Sequence, residues 1–333
     1  MTTILDTLPA VTEDQRRRLL AARRTSDAHR ALLAGVPAMN ALQQGGTAGQ
    51  GALNREVTIA AWNVERCLFP EETAAHLSDV APDVLLLSEV DHGMARTGQR
   101  HTTEEVARAL GMGYAYGVEF FELDLGSPIE REFCTDDFNA FGWHGNAVLS
   151  RVPFDRLAMV RLDDHGHWFA TDGEASPDPD QPRLGGRMAI LAVVPTGAGP
   201  LCVVSTHLES ASDADHRHMQ MERLLDAIDV FAPGLPVVIG GDLNTGNHLP
   251  PDYDWRRETL FALAEAQGYD WGNTADGMTT RPSLITRFPD RQMKLDWFAT
   301  RGVTGQAKGL VSSLDAAGKP LSDHDCVWCR VAL

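Results

Sequence analysis

Six places in this chain set a polar, ligand-competent side chain directly against an apolar run. Asn63 follows V-T-I-A-A-W, Glu89 follows V-L-L-L-S, and His207 sits in S-T-H-L-E. Asp242 and Asn244 end V-V-I-G-G-D-L-N, Asp296 lies in K-L-D-W-F, and Asp323 and His324 lie in L-S-D-H-D. Polar groups abutting buried strands are costly unless they are paired, hydrogen-bonded or metal-bound. Taken singly, Asn63 and Asn244 read as turn or strand-cap residues, Glu89 as a surface carboxylate, and His207 and His324 as satisfied histidines. Six strand ends together form a constellation, and its residue types suit phosphoester hydrolysis. Glu, Asp and Asn supply hard oxygen ligands for Mg²⁺ or Mn²⁺, with Ca²⁺ a further candidate. That chemistry needs a Lewis acid, a positioned water, a general base and a group that stabilises developing charge. A His beside a buried Asp suits the base, and a second His or an Arg the stabiliser.

The elements that must position these residues follow from pattern. Val57–Val64, Val84–Ser88, Ala147–Leu149, Met188–Val194, Leu201–Ser205, Pro236–Gly240, Leu295–Thr300 and Cys326–Leu333 read as strands. Glu71–Val80, Thr103–Leu110, Asp213–Phe231 and Trp255–Gln267 read as helices. Strands outnumber helices and several follow one another directly, which predicts an α/β sandwich with mixed sheets rather than a regular βαβ wind. Thr12–Leu42 is helical in pattern, one amphipathic helix or a pair, and the Gly-rich run Gln43–Gly51 reads as a linker. This divides the chain into an extension over 1–52 and a main domain over 53–333. Asp163–Gly186 reads as a long loop beside the site. Its histidines His165 and His167, and the helical His216 and His218, carry no assigned role.

Composition narrows the function. Hydrophobic residues make up 43% of the 333, enough for a large packed core. No apolar run reaches the roughly 18 residues of a membrane span, and the N-terminus lacks a secretory pattern, so the expected location is the cytoplasm. The five cysteines read as reduced thiols. Cys326 and Cys329 lie three apart on a strand, facing opposite sides, which argues against a zinc or redox pair. The net charge is -17, with 29 basic against 46 acidic residues, whereas a duplex binder needs a basic footprint. A small-molecule, sugar or lipid-like phosphoester is therefore favoured over nucleic acid, with a DNA or RNA nuclease as the alternative. The segment Gly117–Asn139 adds acids and reads as a substrate-shaping insertion beside the phosphate path.

In motif order, Val57 to Leu333 resembles the endonuclease/exonuclease/phosphatase superfamily. W-N-V at Asn63, S-E-V at Glu89, G-D-L-N at Asp242 and Asn244, and S-D-H at Asp323 and His324 carry the resemblance. T-H-L-E at His207 looks like the deoxyribonuclease I and sphingomyelinase branch, and G-N-A-V-L-S-R is similar to a strand of bacterial members. The resemblance implies a four-layer α/β sandwich, two packed mixed β-sheets flanked by helices. It implies Glu89 as principal metal ligand with Asn63 beside it, and Asp323 at a neighbouring position. Asp242 would orient or activate water, and Asn244 would hold the phosphate or a metal. His324 would be the base or charge stabiliser, polarised by Asp296. His207 would bond the phosphoryl oxygen or protonate the leaving group. Arg187 in G-G-R-M-A-I resembles a phosphate-contacting Arg, and Asn146 is a further candidate substrate contact. Glu65, two residues past Asn63, would share its face and join the metal shell. With the metal and base positions intact, a non-catalytic binding protein on this fold is the weaker reading.

Overall fold

The computed structural model describes residues 2–171 and 181–333. Along the chain lie β1 (Thr3–Leu5), α1 (Glu13–Ala21), α2 (Ser26–Ala34), β2 (Ala41–Gly46), β3 (Glu56–Arg66), α3 (Pro70–His76) and β4 (Val84–His92). There follow α4 (Thr102–Leu110), β5 (Gly113–Glu122), α5 (Pro128–Arg131), β6 (Trp143–Ser150), β7 (Arg156–Arg161), β8 (Arg183–Gly185), β9 (Met188–Thr196) and β10 (Gly199–His207). The last elements are α6 (Ala214–Phe231), β11 (Val237–Asp242), α7 (Leu260–Ala266), β12 (Asp296–Arg301), β13 (Thr304–Val311) and β14 (Cys326–Ala332). One sheet runs β1-β2-β5-β6-β4-β3-β14-β13, with β8 added against β5; the other runs β12-β11-β10-β9-β7. Both mix parallel and antiparallel pairs.

Strand alternation sorts the apolar residues into three cores. Ile59, Ala61 and Leu86 of the first sheet meet Ile190, Val203 and Val238 of the second between the sheets. Their chain neighbours Ala60, Trp62, Leu85 and Leu87 turn outward to meet Leu19, Leu33, Ala74 and Val106 of α1 to α4. On the far side Val237 and Ile239 pack against Met221, Leu224, Leu225 and Ile228 of α6. Those four recur at helical spacing, and Asp213 caps the helix by accepting the His216 N–H. Each such leucine contributes on the order of 1.5–3 kcal/mol. The result is the expected four-layer α/β sandwich.

Several expectations are corrected. The Gly-rich run is not a linker in its first half: Ala41–Gly46 is β2, paired antiparallel with β5 and parallel with β1. Gly46 is required there: its φ is +78° and a side chain would lie 2.4 Å from the Met112 carbonyl oxygen. Gly117–Glu122 is not an insertion but part of the wholly buried β5. Its acids Glu119 and Glu122 are compensated by arginines remote in sequence. The helix over Trp255–Gln267 is a short 3-10 turn followed by α7, because Glu258 turns inward to accept from Arg217 (2.5 Å). His216, given no role by the sequence, is only partly exposed and lies 3.7 Å from the Asp163 carboxylate, whose proximity raises its pKa. Cys326 and Cys329 are free and buried, one in the outer core and one between the sheets.

Candidate active site

The strand ends converge because β3 and β4 both lose register at their carboxyl ends. β3 slips between Asn63 and Arg66, and β4 between Leu87 and Val90. Glu65 (φ 41), Arg66 (φ 76) and Glu89 (φ 59) sit in the left-handed region. Such bulges and strained residues re-aim side chains and cluster at functional sites. Glu65 thus reaches the cleft through an irregularity, not through the simple alternation expected of it. On β11, Gly241 admits close approach of β10, since a side chain there would lie 1.9 Å from the Thr206 carbonyl oxygen. His207 and Asp242 are paired in that register.

Asp242 stands at the centre. Its Oδ1 accepts the Asn244 backbone N–H (2.8 Å) and its Oδ2 accepts the Asn63 amide (3.0 Å). His207 Nε2 and His324 Nε2 each lie 3.6 Å from Asp242 Oδ2. His324 Nδ1 is 2.8 Å from Oδ2 of Asp296, which is fully buried. Burial would lower the His324 pKa, but Asp296, Asp242 and Asp323 together hold it well above the usual histidine value. Asp296 is itself raised by burial, partly offset by His324.

Asn63 is a brace. It donates to Glu89 Oε1 (3.1 Å) as well as Asp242, and its carbonyl accepts the Glu65 N–H (3.1 Å). Glu89 Oε2 takes Arg66, which also donates to Glu130 (2.8 Å). Burial opposes ionisation of Glu89, yet Arg66, His207 and His144 keep it well below the carboxylate range. Glu65 and Asp323 line the same cleft, and burial raises both, with Asp323 adding to the rise at Glu65 and Glu89 to that at Asp323. Asn244 (φ 50) donates to the Leu208 carbonyl (2.9 Å) and accepts from Asn247 (2.8 Å).

Arg187 faces the cleft but is engaged by Glu209 (3.2 Å), Glu119 (3.3 Å) and His207 Nδ1 (2.8 Å). The same Arg187 nitrogen lies 3.1 Å from His207 Nε2, and His207 Nδ1 also lies 3.4 Å from Glu119. Asn146 is the one sequence candidate the fold takes elsewhere: it is fully buried and donates to the Met188 carbonyl (3.1 Å). Residues carrying no sequence assignment also form the site. Arg66 directly follows Glu65, and Glu209 stands inside T-H-L-E, so both were adjacent to recognised positions. Trp168, which donates to Glu209 (3.0 Å), comes from the long loop, and Arg183 opens β8 at its far end. The loop's stretch 172–180 lies outside the described residues. Arg291 comes from the segment after α7 and has no local signal.

The residues fit a divalent cation. Glu65, Glu89 and Asp323 offer hard oxygens to the cleft, where burial first and a neighbouring carboxylate second raise Glu65 and Asp323. Glu65, Glu89 and Asp323 stand further apart; among the described residues the one group of three whose ligand atoms all lie within 4.8 Å of one another is Asp242, Asp296 and His324. The 2.8 Å bond consumes His324 Nδ1 on Asp296, so we read that trio as a hydrogen-bonded relay.

Fold and site together define a phosphoester hydrolase. The sequence model of the endonuclease/exonuclease/phosphatase family matches residues 60–324, and the chain belongs to that family, whose members act on phosphoester bonds and depend on divalent metals. Similar solved structures include an endonuclease/exonuclease/phosphatase from Beutenbergia cavernae, 20% identical with TM-score 0.57, covering 84% of this chain and 72% of that one. D. rerio TDP2 complexed with single strand DNA product is 18% identical with TM-score 0.53, over 84% and 99%. The human Nocturnin catalytic domain with bound sulfate is 16% identical with TM-score 0.54, over 87% and 97%. These likenesses are of fold. No curated protein matches the chain in sequence. Among the described residues, no helix is long and apolar enough to cross a membrane.

Proposed function

We propose that the protein hydrolyses a small phosphoester, with Mg²⁺ or Mn²⁺ held by Glu89 together with Glu65 and Asp323 and with Asn63 as their brace. The observation that carries this reading is Asp242 Oδ2 midway between two histidine Nε2 atoms, 3.6 Å from each, with Asp296 behind one of them. A water on Asp242 is placed to attack phosphorus. His324, held charged by Asp296, stabilises the oxygens on which charge develops. His207, kept in place by Arg187, faces the same point and protonates the leaving oxygen. The cation supplies Lewis-acid polarisation of the phosphoryl group.

The acidic balance of 46 to 29 supports a substrate with few phosphates over a long duplex. The test offers the protein, with Mg²⁺, Mn²⁺ or Ca²⁺, a panel of phosphomonoesters and diesters beside plasmid DNA, an abasic duplex and single-stranded oligonucleotides. Turnover confined to the small esters is expected. Efficient cleavage of DNA alone would overturn the substrate class, and no turnover of any phosphoester would overturn the catalytic reading.

A further inference from the structure

The catalytic cleft encloses only about 170 Å³, little beyond a phosphoryl group. Beside it lies a second groove of about 650 Å³, a size that suits a small-molecule arm. Arg287, Phe288 and Arg291 line both spaces, so the two are neighbours. Two properties set this groove apart. Phe288 (61%) and Tyr253 (52%), two of the three exposed aromatic side chains among the described residues, flank it. Arg291 has no carboxylate within ion-pair distance among the described residues, whereas Arg66, Arg183 and Arg187 in the cleft are each matched to glutamates. Its guanidinium donates to Asn247, which donates to Asn244, and it lies 5.5 Å from the Phe288 ring. Burial lowers its pKa, and the nearest negative charges are the carboxylates of the centre itself. Of the groove's two acids, Asp252 lies 3.7 Å from Arg257 and Asp290 is exposed.

We infer that this groove is a subsite for a substrate arm carrying an anion and a flat aromatic ring, the chemistry of a nucleoside phosphate, with Arg291 taking the anion and Phe288 and Tyr253 stacking the ring. It rests on the phosphoesterase reading and names the substrate class of the same site. Isothermal titration of the full chain in Mg²⁺ with AMP, ribose 5-phosphate and inorganic phosphate tests it. AMP should bind at least about tenfold more tightly than ribose 5-phosphate, the scale of one base–aromatic stack. Phe288→Ala with Tyr253→Ala should erase that ratio and leave ribose 5-phosphate unchanged. Arg291→Gln should weaken both sugar phosphates about equally and keep the ratio. Equal wild-type affinities, or a ratio that survives the double aromatic variant, would overturn the subsite even where small esters are hydrolysed. The expected binding pattern in a protein that hydrolyses nothing would uphold the subsite and sink the catalytic reading alone.

Discussion

Replacing Asp296 by Asn separates catalysis from folding at this site. The carboxylate is fully buried, and its Oδ2 lies 2.8 Å from His324 Nδ1. It is also the largest influence holding His324 charged against burial. A hydrogen bond to a charged group contributes about 1.5–3 kcal/mol, and about 1.4 kcal/mol is tenfold in rate. The lost bond alone therefore lowers kcat by about 10- to 150-fold. An amide that can also present its NH₂ to the ring loosens control of the imidazole tautomer, so the expected fall is at least about 100-fold, with KM changed only a few-fold. Stability should change little. Burial disfavours the Asp296 charge, a cost Asn removes, while the weakened bond to His324 offsets that gain. The thermal midpoint should stay within a few degrees. Steady-state kinetics on the best ester of the panel, with calorimetric melting, gives both values. A variant with near-wild-type kcat would refute the His324–Asp296 pair, and one that simply melts early would refute the separation.

Glu89→Ala should abolish the response of activity to added Mg²⁺ or Mn²⁺, and full wild-type turnover in excess chelator would exclude a metal role for Glu89 and its neighbours. Arg96 is fully buried between Asp91 (2.8 Å), Glu122 (2.7 Å) and Glu130 (3.1 Å), so Arg96→Leu leaves uncompensated buried acids. Denaturant unfolding should show a loss of about 3–5 kcal/mol, and a loss under about 1 would contradict the network. His92 stacks on His101 at 3.9 Å, and burial lowers its pKa from 6.5 to about 4. Its stabilising effect is complete above about 6.5 and lost as pH falls towards 4, roughly 3 kcal/mol at 1.36 kcal/mol per unit. Melting midpoints between about pH 7.5 and 4.5 should fall less steeply in His92→Phe, and parallel slopes would show that His92 is not responsible.

By itself the sequence determined the strand ends, and with them most of the candidate chemistry. Asn63, Glu89, His207, Asp242, Asp296 and His324 were recognisable because an apolar run interrupted by a ligand-competent residue is a local pattern. The three cores follow from the same alternation. Tertiary structure decided what those residues do to one another. Asp296 meets His324 across 28 positions, and Asn63 meets Asp242 across 179. Nothing in the spacing sets such distances. The left-handed backbone of Glu65 and Glu89 is imposed by neighbouring strands, since neither residue type favours it locally. Asn146 was misplaced for a related reason: on an interior strand of the first sheet, an amide inside a recognised motif is spent on the backbone of Met188 in the second. The acids of β5 read as part of a substrate-shaping insertion because Arg187, the partner of Glu119, stands 68 residues from it. Burial makes an ion pair strong only once the chain has brought both halves together, so a charge count could not distinguish a solvated acidic face from a compensated core.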